Sequence, residues 1–87
     1  MKKVISSPSA PKAVGPYSQA IEANGTLYIS GQIPINPATG SMPSTIEEQT
    51  AQSLKNIEAI LHEAGYTFDN VVKTTVLLDN IGDFAAM

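Results

Sequence analysis

The chain has 87 residues, neither cysteine nor arginine, and a net charge of −3 set by eight acids against five lysines. A chain this short buries only about 60–65% of the surface its unfolded form exposes, so it makes one small domain of thin stability. Without cysteine there is no disulfide, thiolate nucleophile or cysteine-held zinc; without arginine, and with Lys2, Lys3, Lys12, Lys55 and Lys73 scattered, a phosphate backbone finds no clustered cations.

In chain order, Met1-Lys2-Lys3 is followed by only Val4-Ile5 before Ser6-Ser7-Pro8, too short an apolar run for a signal peptide. No stretch approaches the roughly 18 apolar residues of a membrane span, so a soluble, cytoplasmic protein is expected. Lys3 to Ser6 reads as a first strand, and Pro8 and Pro11 are expected to hold Ser7 to Lys12 extended. Val14-Gly15-Pro16 turns the chain into a second strand over Tyr17 to Glu22. Ala23-Asn24-Gly25-Thr26 is a hairpin signal, because Asn-Gly supplies the positive φ angles of a type I′ turn. Leu27 and Ile29 then alternate with Tyr28 and Ser30, the period of a half-buried strand. Gly31 removes a side chain where that strand stops and Pro34 prevents the ladder from continuing, a backbone expected to tolerate only glycine and proline. A glycine there serves a bulge or the close approach of a ligand.

Residues 35–43 are mostly Asn, Pro, Thr, Gly and Ser, an exposed loop leading to a helix. Ser44 and Glu47 have the spacing of a capping box. Ile46, Thr50, Leu54, Ile57, Leu61 and Ala64 make one apolar stripe, and Gly65 follows as the left-handed terminator. Glu48, Gln52, Lys55, Glu58 and His62 form the solvated face. Asn70 to Leu78 reads as a strand with apolar residues on both faces. One helix covers one face of a sheet, so the patterning predicts a second subunit on the other. Asp79 to Asp83 caps a new element and Phe84 to Met87 begins a helical turn. A helix of one turn does not sustain itself, so the sequence reads as cut rather than finished.

Three residues are candidates for a site. Tyr17 could line a pocket and offer its phenol, or could be an ordinary semi-buried aromatic at a strand start. Ser30 and Gly31 could present a hydroxyl and bare main chain to a carboxylate or a reacting carbon, or could mark a bulged strand end. Ser30 is not expected to be an activated nucleophile, because the only histidine, His62, lies on the polar face of the helix between Glu58 and Glu63. No metal-ligand spacing and no phosphate-cradling glycine loop occurs, so neither metal nor cofactor is expected. Glu47 and Glu48 are helix-start acids favoured by the dipole, not a catalytic dyad.

Gly15-Pro16-Tyr17-Ser18-Gln19-Ala20 and Leu27-Tyr28-Ile29-Ser30-Gly31-Gln32-Ile33-Pro34 together resemble the signature of the Rid family of reactive enamine/imine deaminases, also known as YjgF-like proteins or endoribonucleases L-PSP. The resemblance extends through the long helix, the Val-Lys-Thr-Thr-Val strand and its Asp-Asn-Ile-Gly-Asp-Phe continuation, and covers the N-terminal part of the usual family length. It implies an α+β two-layer fold like chorismate mutase, a mixed sheet packed on helices. It also implies a homotrimer with intersubunit clefts, the sheets inside and the helices outside. It implies hydrolysis of 2-iminobutanoate and 2-iminopropanoate to 2-oxo acids and ammonia, with Tyr17, Ser30 and Gly31 lining the cleft and no cofactor. In the family an arginine grips the carboxylate and a glutamate with main-chain groups positions the water. Both come from C-terminal strands, which this chain is expected to lack, and it contains no arginine. Beside the deaminase stand two other readings. One is a ribonuclease or translation inhibitor, which the acidic charge opposes; the other is a non-catalytic module that binds small acids.

Overall fold

A computed structural model describes residues 2–87. Three strands, β1 (Lys2–Ile5), β2 (Ala20–Ala23) and β3 (Thr26–Ile29), precede one long helix, α1 (Ile46–Glu63), and two single 3-10 turns at Phe68–Asn70 and Ile81–Asp83. The strands form one antiparallel sheet in the order β1-β2-β3. The class is α+β, as expected; the parallel pairing of a mixed sheet is not among the described residues.

The hairpin between β2 and β3 turns at Asn24 (φ 52°) and Gly25 (φ 78°), both left-handed as a type I′ turn requires. That turn fixes the register Ala20↔Ile29, Ile21↔Tyr28 and Glu22↔Leu27, and β1 continues it with Ile5↔Ala20 and Val4↔Ile21. Because alternate residues face opposite ways, the sheet has one face carrying Ile5, Ala20 and Ile29 in a row and another carrying Val4, Ile21 and Tyr28. The first row meets Ile60 of α1, with Ala10, Leu27, Ala59 and Ala64 around it, and this is the core. The second row is uncovered; Val4 and Tyr28 are 62% and 63% exposed.

The helix starts one residue later than the spacing predicts. Thr45, not Ser44, is the N-cap: its Oγ1 accepts from the Glu48 amide at 3.2 Å and donates to the Glu48 carboxylate at 2.8 Å. Ser44 and Thr45, and Glu47 and Glu48, are adjacent pairs of the same chemistry, so spacing alone does not separate the two boxes. The buried face is also rotated from the apolar stripe. Asn56, Ile60 and Leu61 are buried, while Leu54 is 48% exposed. Gly65 (φ 84°) ends α1 as expected. Just beyond it, Tyr66 donates its phenol to the Glu22 carboxylate and ties the end of α1 to β2. No helix among the described residues is long and apolar enough to cross a membrane.

Three expected segments differ. Ser7 to Lys12 is not extended throughout: Ala10 N–H donates to the Ser7 carbonyl at 3.4 Å and the chain turns there. Tyr17 precedes the second strand, because its N–H is used by the Gly15 carbonyl (2.9 Å) in a three-residue turn about Pro16. Residues 71–78 form no ladder, and Val72 and Leu77 are 96% and 91% exposed. Alternating β-branched residues favour an extended chain, but a strand exists only where a second backbone accepts its hydrogen bonds. Neither α1 nor any other described element covers this segment. The capping expected at residues 79–83 is supplied by Asn80, whose side chain accepts from the Gly82 amide at 2.8 Å.

Candidate functional site

The β2–β3 hairpin brings residues from two separated motifs together. Pro16, Tyr17, Ser18, Ala20, Ile21, Tyr28, Ile29 and Ser30 line one open depression of about 420 Å³. Tyr17 and Ser30, thirteen positions apart, therefore share a wall. Two phenols stand in it, those of Tyr17 and Tyr28; the rest of the lining is apolar apart from Ser18 and Ser30. No carboxylate, lysine or imidazole lines it.

Ser30 is held by main chain on its β2 side. Its N–H donates to the Gln19 carbonyl at 3.0 Å, and its Oγ lies 2.9 Å from the Ser18 carbonyl and 3.0 Å from that of Gln19. A hydroxyl has one proton, so that proton is committed to one of the two carbonyls, and what Ser30 offers a ligand is its lone pairs. Tyr17 is 52% exposed and its side chain makes no hydrogen bond among the described residues, so its phenol is open to a ligand.

Gly31 does not stand where the sequence suggests. Its φ lies outside the left-handed region, a Cβ placed on it would meet nothing within 4 Å, and it is not among the lining residues. The backbone there does not require glycine. The bare main chain is open to approach, but nothing in the chain's own packing calls for it.

Two buried amides, Gln19 and Asn56, brace the segments on either side of these residues. Gln19 is 4% exposed and makes four contacts with the preceding segment. Its Oε1 accepts from Ser7 N–H at 2.6 Å, and its Nε2 lies 3.2 Å from the Ser7 carbonyl, 3.4 Å from that of Ala10 and 2.8 Å from that of Pro11. Asn56, 1% exposed, donates to the Ile33 and Ile35 carbonyls at 3.1 and 3.0 Å and accepts from Gln52 at 2.9 Å. Among the described residues no buried side-chain nitrogen or oxygen lacks a hydrogen-bond partner. The signal for either amide was a polar residue at a position facing the core, visible only once the register of the sheet and the rotation of α1 are known.

A larger depression of about 570 Å³ lies elsewhere, between Ser7-Pro8-Ser9 and the face of α1 bearing Lys55, Glu58, His62 and Glu63. It carries one lysine and two glutamates, the mixed charge of an ordinary solvated helix face. His62 is exposed, as the helical pattern predicts. No cluster of three His, Cys, Asp or Glu side chains that could hold a metal ion exists among the described residues.

Comparison with known proteins agrees with the two motifs. The family model for endoribonuclease L-PSP matches residues 7–87. A RutC family protein of Pyrococcus horikoshii is 53% identical over 88 aligned positions, covering 100% of this chain and 70% of its own. A 2-iminobutanoate/2-iminopropanoate deaminase of Mus musculus is 49% identical, covering 100% of this chain and 65% of its own. The crystal structure of a Rid family protein from Yersinia pestis superposes with a TM-score of 0.96 at 55% identity, over 99% of this chain and 69% of that one. The chain thus spans about two thirds of the length of these relatives.

Proposed function

The chain belongs to the endoribonuclease L-PSP family, which includes the Rid and RutC proteins, and from that membership we propose that the protein hydrolyses reactive 2-imino acids such as 2-iminobutanoate and 2-iminopropanoate to 2-oxo acids and ammonia. The observation that carries the reading is the shared wall of Tyr17 and Ser30 in one depression, in a chain about half identical to a deaminase of that name.

The chemistry asks little of a site. An imine carbon is already electrophilic, so water adds to it, the carbinolamine collapses, and ammonia leaves. The protein's part is to hold the acid, orient the water and move a proton. The Tyr17 phenol donates to the substrate, Ser30 Oγ accepts from the imine nitrogen or the attacking water, and Ile21 and Tyr28 receive the apolar chain of the acid. Gly31 leaves open space beside the wall. None of these groups clamps a carboxylate as an arginine fork does, so we read this wall as half of a cleft. The uncovered row of Val4, Ile21 and Tyr28 is where we place the contacts of a homotrimer whose neighbouring subunit closes it.

A second reading, a module that binds small acids without turnover, is supported by one specific feature. The lining has no group whose ordinary pKa lies near neutrality, the usual requirement for acid–base catalysis. A ribonuclease would need such a pair as well as clustered cations.

The test is the rate of 2-oxobutanoate release when the protein is added to 2-iminobutanoate formed in situ by a threonine dehydratase. Acceleration over spontaneous hydrolysis is expected. Release at the spontaneous rate, with 2-oxobutanoate still bound, would favour the module.

A further inference from the structure

We propose that Gln19 is a positioning residue of the Tyr17–Ser30 depression: its buried amide fixes the main chain that carries Tyr17 and holds Ser30, so it sets the geometry of the site without touching a ligand. The proposal rests on the reading of that depression as the ligand site.

Gln19 joins three segments. Its side chain is bonded to Ser7, Ala10 and Pro11, its own carbonyl accepts from Ser30 N–H, and Tyr17 lies two residues before it. Among the described residues Ser30 Oγ reaches the carbonyls of Ser18 and Gln19 alone, so the place of that hydroxyl is dictated by the backbone at these two positions. Tyr17 is half-exposed and lies outside the ladder, so little besides the turn about Pro16 and the anchor at Gln19 restrains it. The anchor is buried, and each of its contacts is to main chain, so it does not depend on the rotamer of another side chain. Gln19 is not among the lining residues, yet its carbonyl holds Ser30, so it belongs to the support of the site and not to its wall.

Replacement by glutamate is the informative variant. One carboxylate oxygen would still accept from Ser7 N–H, but the other would face the carbonyls of Ser7, Ala10 and Pro11, a repulsion relieved when the carboxyl is protonated and donates. Gln19→Glu should therefore show a pH-dependent site geometry that the wild-type amide lacks. Gln19→Asn, one methylene shorter, keeps the amide and loses the reach. Tyr66→Phe removes the bond to Glu22 at the far end of β2 and serves as a destabilised variant with an unaltered site.

The experiment measures the Kd for 2-oxobutanoate by NMR titration, and in the same samples the backbone order at Tyr17 and the amide exchange of Ser30. Kd reads only folded molecules, so a loss of stability by itself leaves it unchanged. For Gln19→Glu at neutral pH we expect Kd at least about tenfold weaker, a small displacement at a site being enough for that. Lower order at Tyr17 and faster exchange at Ser30 should accompany it, and all three should return toward wild type as pH falls. Gln19→Asn should show the same loss at every pH, and Tyr66→Phe none. Wild-type order and exchange at Tyr17 and Ser30 in both Gln19 variants would overturn the proposal. So would loosening of both residues with an unchanged Kd. If the wild-type chain binds no 2-oxobutanoate while the Gln19 variants still loosen Tyr17 and Ser30, the ligand reading fails and the positioning role stands.

Discussion

Asn56 of α1 donates to the carbonyl of Ile35 across 3.0 Å, and to that of Ile33 across 3.1 Å, spanning the tight turn that Pro34 makes between them. One buried side chain thereby fixes the loop that leaves β3 just after Ser30, and does so from the helix rather than from the sheet. Asn56→Leu removes both donors; the Ile33 carbonyl keeps the Ile35 N–H at 2.8 Å, while the Ile35 carbonyl is left facing an apolar side chain. At roughly 1–3 kcal/mol for one unsatisfied buried group, the expected loss is about 2 kcal/mol. Urea unfolding should show a lower midpoint with an unchanged slope.

Gly25 and Gly31 should respond differently to alanine. Gly25 sits at φ 78° in the hairpin, where an L side chain costs about 1–2 kcal/mol. Gly31 has neither a left-handed φ nor a neighbour within 4 Å of a built Cβ. Gly25→Ala should lower the thermal midpoint, and Gly31→Ala should leave stability within about 0.5 kcal/mol.

Tyr66 gives the fold an alkaline dependence. Its hydrogen bond to Glu22, then partial burial, then the Glu22 charge raise its pKa above the ordinary 10.0. A proton held more tightly by the folded chain stabilises it. That contribution is fully present below the ordinary value and is lost as pH rises through the raised one. Denaturant midpoints measured from about pH 8 to about pH 11 should fall more steeply for wild type than for Tyr66→Phe at the alkaline end.

Tyr17→Phe should separate site from fold. The ring is half-exposed and its hydroxyl bonds to no side chain among the described residues, so stability should stay within about 0.5 kcal/mol. Losing one hydrogen bond to a small acid should weaken 2-oxobutanoate binding about tenfold, or 1.4 kcal/mol. Calorimetric titration of wild type and Tyr17→Phe with 2-oxobutanoate reads the difference directly.

Parts of this structure are local and therefore legible in the sequence. Asn24-Gly25 forms the turn its φ angles allow, and Gly65 ends the helix. Other parts depend on partners far along the chain. Leu54 fits an apolar stripe, yet the helix is rotated so that Asn56 faces inward, because the Ile33 and Ile35 carbonyls are there to receive it. Residues 71–78 carry a strand's alternation but have no ladder, since alternation describes side chains and a ladder requires another backbone. Tyr17 and Ser30 stand in motifs visible in the sequence, and the pairing Ala20↔Ile29 sets the two segments side by side along one depression. The commitment of the Ser30 proton and the anchoring by Gln19 are not visible there, because both depend on carbonyls whose directions no side-chain pattern encodes.

The most direct test of the central claim is a residue-resolved NMR titration of the protein with 2-oxobutanoate. Saturable shifts are expected at Tyr17, Ser18, Ile21, Tyr28 and Ser30, with Lys55, Glu58 and His62 unmoved. Shifts centred on Ser9, Lys55 and His62, or none at Tyr17 and Ser30 at any concentration, would contradict that claim.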